Sequence, residues 1–176
     1  MSWQQVALSD VASSKKGKKP KTLFDQPAEG RLPYIDIKAF EKGVVRQYAE
    51  AADSNAVNAD QILVVWDGAR SGLVGRDCSG ALGSTLAALR VHGADLNYVF
   101  RFLQSKYDEI NSRHKGTGIP HVDPEVFWNL ELPLPPTMEE QRRIVAKLDQ
   151  VTRRIDEAKA RLDTIPTILK RFRSPS

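Results

Sequence analysis

The chain has 176 residues, 41% apolar and 27% charged, enough for one globular domain with a real core plus an appendage. No apolar run approaches the ~20 residues that span a bilayer. The net charge of +4 resides entirely in residues 137–176, where ten Lys/Arg face six Asp/Glu; residues 1–136 hold sixteen of each, which excludes a global anion-attracting field and leaves only local patches.

The first ten residues, "MSWQQVALSD", lack the basic and apolar segments of a signal peptide. The single cysteine, Cys78, excludes an internal disulfide framework and suits a reducing cytosol, so a cytoplasmic location is expected. Trp3, Val6, Leu8 and Val11 form an apolar anchor near the start. "SSKKGKKPK" follows, with Lys15, Lys16, Lys18, Lys19 and Lys21 interrupted by Gly17 and Pro20. Like charges with breakers predict an exposed, mobile loop, either merely solvated or a phosphate-contacting arm.

"LPYIDIKAF" (32–40) alternates and predicts a strand. "QILVVWDGARSGLVG" (61–75) predicts a buried strand, a tight Asp67-Gly68 turn with Arg70 and Ser71 at its tip, and a second strand. "GALGSTLAALRV" (80–91) predicts another strand pair, interrupted at Gly83. Asp95 is positioned to cap a helix from Leu96 to about Ser112. Its buried face would be Leu96, Val99, Phe100, Leu103, Tyr107 and Ile110. The loop "RHKGTGIPHVDPE" (113–125) mixes two histidines with two cations. "DPEVFW" allows one helical turn with Asp123 as cap and Pro124 at its first position. "NLELPLPP" predicts a short edge strand. Short strands and one central helix, without regular βα alternation, give an α+β class.

A second region, 137–176, departs from the globular part, 1–136. Thr137 and Glu140 have capping-box spacing, so a helix starts near Met138. Ile144, Leu148, Val151, Ile155, Ala158, Leu162 and Ile165 step by 4, 3, 4, 3, 4, 3, the a/d repeat of a coiled-coil seam. Pro166 is expected to end or kink it. A rod from 138 to 165 measures about 42 Å at 1.5 Å per residue. Its narrow seam favours an external partner over packing on its own domain. The g positions are Lys147, Arg154 and Arg161, and the e positions Val145, Thr152 and Lys159. A parallel self-pair sets g against e without an opposing charge and an antiparallel one sets cation against cation at g, so neither is electrostatically satisfied and there is room for acidic helices of another protein.

No P-loop or strand–GxGxxG–helix unit is present, His92, His114 and His121 lack metal-ligand spacing, and there is no N-P-P-[YF] or D-P-P-Y tetrapeptide of amino-methyltransferases. No catalytic or metal residue and no cofactor is therefore assigned to this chain.

"WQQVALSDV", "LPYIDI", "ILVVWDGARSGLVG", "FRFLQSKYDEI", "KGTGIPHVDPEVFWNLELPLPP" and "EEQRRIVAKLD" together resemble one half of the DNA-specificity (S) subunit of Type I restriction–modification enzymes. The resemblance covers a target-recognition domain and one spacer helix, nearly the whole chain. It implies a non-enzymatic module that reads one half-site of double-stranded DNA per copy and pairs its long helix antiparallel with a second copy. It further implies docking to DNA-adenine methyltransferase modification subunits, which carry S-adenosylmethionine, and to a restriction subunit in the full complex. Under it the five lysines become phosphate-contact candidates. Arg70 is the first choice for a base contact, with Ser71 and Arg76 in support. Arg113, His114, Lys115, Thr117 and His121 form a second reading loop. The competing expectation is a coiled-coil assembly or decoy protein that binds the modification subunit without specific DNA recognition.

Overall fold

The computed structural model describes residues 3–112 and 120–173, with side chains described as far as Ile165. In chain order the elements are β1 (Gln4–Ala7), α1 (Leu8–Val11), β2 (Ala12–Lys16), β3 (Arg31–Ile35), α2 (Ile37–Lys42), β4 (Tyr48–Glu50), β5 (Ala56–Val57) and β6 (Ile62–Val65). They continue with β7 (Val74–Gly75), β8 (Gly80–Leu82), β9 (Leu86–Val91), α3 (Leu96–Ser105), α4 (Tyr107–Ser112), α5 (Pro124–Trp128), β10 (Glu131–Leu134) and α6 (Met138–Arg173). The expected α+β class holds.

Strand β6 explains the architecture. Its four residues Ile62–Val65 are all buried, so both of its faces are covered. Successive side chains alternate across a strand. Ile62 and Val64 join a core with Leu8, Leu89, Val99, Leu103, Ile110, Phe127 and Leu132, whereas Leu63 and Val65 join a second with Ile35, Val57, Leu82, Leu86 and Ala88. The sheet carrying β6 has the order β2-β9-β6-β7, every pair antiparallel. Helices α3, α4 and α5 lie over its first face. A second sheet, β4-β3-β8-β5, lies over the other and includes one parallel pair, β3 with β8. A ribbon of β1 and β10 joins the N-terminus to the segment that leads into α6.

Local capping follows the sequence. Asp95 Oδ1 accepts the amides of Asn97 and Tyr98 at 2.9 and 3.1 Å. Asp123 caps α5 through the Glu125 amide at 2.9 Å, and Thr137 Oγ1 accepts the Glu140 amide at 3.2 Å.

Several elements differ from expectation. The lysine segment is not a loose loop: Lys15 and Lys16 belong to β2, Gly17 N bonds Leu86 O and Lys18 N bonds Leu82 O. A β-carbon on Gly17 would lie 2.0 Å from Gly83 O, so this crossing requires glycine. The strand at 32–40 stops at Ile35, because Asp36 Oδ1 accepts the Ala39 amide at 2.7 Å and starts α2. The two strands flanking Gly83 do not pair with each other; β8 and β9 belong to different sheets. The helix over 96–112 is broken at Lys106 into α3 and α4. Helix α6 runs on through position 166 to Arg173. From Val151 to Ile165 the side chains of this helix are exposed, so the Leu162 carbonyl freed by the proline is open to water and its lost bond costs less than in a packed helix.

Candidate nucleic-acid interface and helical rod

The connection between β6 and β7 is an eight-residue loop, Trp66 to Leu73, rather than a tight turn at Asp67-Gly68. Its shape is over-determined. The Asn111 amide donates to Ala69 O at 3.2 Å and to Ser71 O at 2.9 Å, straddling Arg70. Gly72, at φ 90°, abuts Ile110, with its missing β-carbon 2.7 Å from that side chain. Arg70 is left on a fixed backbone with its side chain 56% exposed, and its Nη1 lies 2.8 Å from Glu41 Oε1 of α2.

The segment leading into α5 pairs with this loop. Gly68 N donates to Pro120 O at 2.7 Å, Val122 N donates to Trp66 O at 2.9 Å, and Asp67 and His121 form an antiparallel bridge. Phe127 packs edge-on to Trp66, ring centroids 5.4 Å apart, and anchors the junction below. Asp67–Gly68 and the end of the stretch read from the sequence as a second reading loop, Pro120–His121, therefore share one edge of the domain. Arg113, His114, Lys115 and Thr117 lie outside the described residues, but the chain re-enters at this edge through Pro120 and His121. Lys16 Nζ reaches the same edge, 2.9 Å from Asp67 Oδ2.

Other candidates lie elsewhere. Ser71 is fully buried, its carbonyl held by Asn111, so it shapes the loop and does not present its hydroxyl to a ligand. Arg76 packs at the helical junction. Its guanidinium sits 5.5 Å over the Phe100 ring, in a notch of about 270 Å³ shared with Arg101, Val145 and Asp149 of the helical junction. The five lysines do not act as one arm. Lys15 and Lys16 are consecutive on β2 and face opposite sides of the sheet. Lys18 pairs with Asp53 at 3.0 Å, and the Lys21 amide donates to the same carboxylate at 2.7 Å. Backbone and lysine donors hold the Asp53 carboxyl below its ordinary range. Lys15 and Lys19 have no ion-pair partner among the described residues. Glu41 and Asn111 had no signal in the sequence: one follows directly on the segment read as strand, the other lies at the end of a helix.

Helix α6 is anchored by its first three turns. Gln141 is buried, its Oε1 accepting the Asp95 amide at 2.7 Å and its Nε2 donating to Pro135 O at 3.1 Å. Arg142 Nε meets Asp95 Oδ2 at 3.0 Å, and Arg101 bonds Asp149. Val145 is buried and Ile144 packs against the first core, so the outward seam begins at Leu148. Leu148, Val151, Ile155, Leu162 and Ile165 are 45, 45, 48, 63 and 44% exposed, and Ala158 is exposed among them. Among the described residues there is no cluster of three or more metal-ligating side chains, and no helix is long and apolar enough to cross a membrane.

An α+β domain whose last strand leads into one long, outwardly exposed helix is a fold shared with solved structures. A chain from a structure of complex assembly in a type I R-M system superposes with a TM-score of 0.76 at 24% identity, covering 97% of this chain and 43% of that one. The HsdS subunit from Thermoanaerobacter tengcongensis superposes with a TM-score of 0.72 at 23% identity, covering 97% of this chain and 42% of that one. The family model for the Type I restriction modification DNA specificity domain matches residues 1–167, and the chain belongs to that family. The Type I restriction enzyme MjaVIII specificity subunit of Methanocaldococcus jannaschii is 35% identical over 145 residues, which is 81% of this chain. The chain spans about a third of that relative's length, 34%.

Proposed function

We propose that this chain is the non-catalytic, sequence-reading unit of a Type I restriction–modification assembly. It reads one half-site of double-stranded DNA with the shared edge of 66–71 and 113–121. The pairing of the Asp67-Gly68 segment with Pro120–Val122 carries this reading, because it fixes the backbone on which Arg70 and His121 stand. Base edges are read by such fixed donors, whereas phosphate contacts set register. Arg70 and His121 are the candidates for bases; of the five lysines, Lys16 stands at this edge and supplies a phosphate contact.

The exposed seam on α6 takes a second copy of this chain, antiparallel. In an antiparallel coiled coil a positions layer against d positions of the partner. A single register covers every exposed seam residue, pairing 148 with 165, 151 with 162 and 155 with 158 across a two-fold axis. Arg142 and its equivalent in the second copy then lie about 44 Å apart along the rods. That distance spans about 13 base pairs at 3.4 Å each, so the target is a split palindrome. The g-edge cations Lys147, Arg154 and Arg161 receive acidic helices of the DNA-adenine methyltransferase modification subunits. Those subunits carry S-adenosylmethionine, and a restriction subunit joins the full complex.

A gel shift of the purified chain at several salt concentrations, with and without modification subunits, tests this. Sequence-selective retardation supports the reading. Complex formation with the modification subunit but no selective retardation assigns the chain to assembly or decoy work instead.

A further inference from the structure

Among the described residues of the reading edge, Lys16 and Arg70 are each held by a carboxylate, Lys16 by Asp67 at 2.9 Å and Arg70 by Glu41 at 2.8 Å. The second pair joins two independently fixed parts. Arg70 is clamped from below by Asn111 on both flanking carbonyls. Glu41 sits on α2, which is capped at both ends, by Asp36 at its start and by Gly43 at φ 66° at its close. The neighbouring Phe40 lies against Gly75 of β7, where an added β-carbon would come within 2.4 Å of its ring, so α2 is locked to the hairpin that bears the loop.

We propose that Glu41 is a positioning residue for specificity, a role that rests on the reading of 66–71 as a base-contacting loop. A guanidinium has five N–H donors, and one engaged at Nη1 leaves a pair for the two acceptors of a guanine edge. The carboxylate fixes which pair is presented. It also repels phosphate oxygens and cancels the field of Arg70, so this side chain rewards a base acceptor and gives little to non-specific backbone attraction. A free arginine at the same place would bind any phosphate within its reach. The neutral balance of residues 1–136 is thus put to use at one contact: charge is present but committed.

The test selects from a pool of duplexes of randomised sequence with the full chain, then compares wild type, Arg70→Ala and Glu41→Gln. Wild type enriches a guanine at one position of the half-site. Arg70→Ala loses that preference by roughly tenfold or more and, by unmasking the Glu41 carboxylate, weakens non-specific binding and lowers its salt slope. Glu41→Gln keeps the arginine but flattens the same preference, raises affinity for non-specific DNA and steepens its salt slope by about one phosphate equivalent. If Glu41→Gln weakens all duplexes uniformly at unchanged preference and slope, Glu41 is only structural and the proposal is overturned. If Arg70→Ala leaves the enriched motif intact, or wild type enriches none, the base-contacting role of the loop fails and the proposal with it. Thermal unfolding of both variants separates a folding defect from a recognition defect, since a change of slope and base preference at unchanged melting temperature has no structural explanation.

Discussion

Asp95 holds both helices at the junction: one carboxylate oxygen caps α3 and the other accepts Arg142 Nε of α6 at 3.0 Å. The amide of the same residue donates to buried Gln141. A single side chain thereby sets the direction in which the rod leaves the domain. Asp95→Ala removes the cap and the ion pair together and should lower stability by about 2–3 kcal/mol. Asp95→Asn keeps a capping oxygen and should cost about 1 kcal/mol. Urea unfolding reads both; equal losses would show that the cap contributes nothing beyond the charge pair.

Gly17 fixes the course of the lysine segment. Its absent β-carbon would lie 2.0 Å from Gly83 O and 2.5 Å from Leu82 O, both backbone atoms that cannot rotate away. Gly17→Ala should therefore destabilise by about 3 kcal/mol. Gly93, at φ 70° with nothing within 4 Å of a built β-carbon, provides the contrast. Gly93→Ala should cost only about 1 kcal/mol of backbone strain. Comparable losses in the two variants, measured by denaturant midpoint, would remove the close crossing as the reason for glycine at position 17.

The register proposed for the helix pair has a covalent test. Leu148 and Ile165 are 17 positions apart on one helix, about 25 Å, too far for a disulfide within a chain. In the proposed register they face each other across two copies. With Cys78 replaced by serine, Leu148→Cys/Ile165→Cys should oxidise to a covalent dimer, while either cysteine alone should not. A cross-link from Leu148→Cys alone indicates a parallel pair. A chain that stays monomeric by light scattering rejects self-pairing itself.

Much of this was legible in the sequence, and the failures share a cause. Asp95, Asp123 and Thr137 were readable as caps because capping is local chemistry. The a/d seam was readable because its spacing has one physical meaning, though Ile144 faces its own core and the outward seam starts one step later. What could not be read was long-range pairing. The lysines looked like a loop because nothing nearby says that β9 lies alongside them. Likewise, nothing near Gly83 says that β8 leaves for the second sheet beside β3. Ser71 looked exposed because a Gly-rich turn usually is, yet Asn111, 40 residues away, draws that backbone inward. Glu41 was invisible for a related reason: Asp36 starts a helix where alternation favours a strand, and only the helix brings its carboxylate to Arg70.

Cys78 reports on the junction beside Arg76. Burial pushes its thiol pKa up from the ordinary value, and the negative charge of Asp77 adds to the rise. Its Sγ also lies 3.6 Å from Arg76 O. Only the thiolate attacks an alkylating agent, so iodoacetamide should modify Cys78 more slowly than a free thiol at neutral pH. The rate should keep climbing at a pH where a free thiol has reached its plateau. Asp77→Asn isolates the charge, because asparagine tolerates the left-handed backbone that Asp77 adopts at φ 62°. Removing a negative neighbour favours the thiolate, so this variant should react a few-fold faster at pH 8 while burial still keeps it slower than the free thiol. An unchanged rate would leave burial as the sole cause.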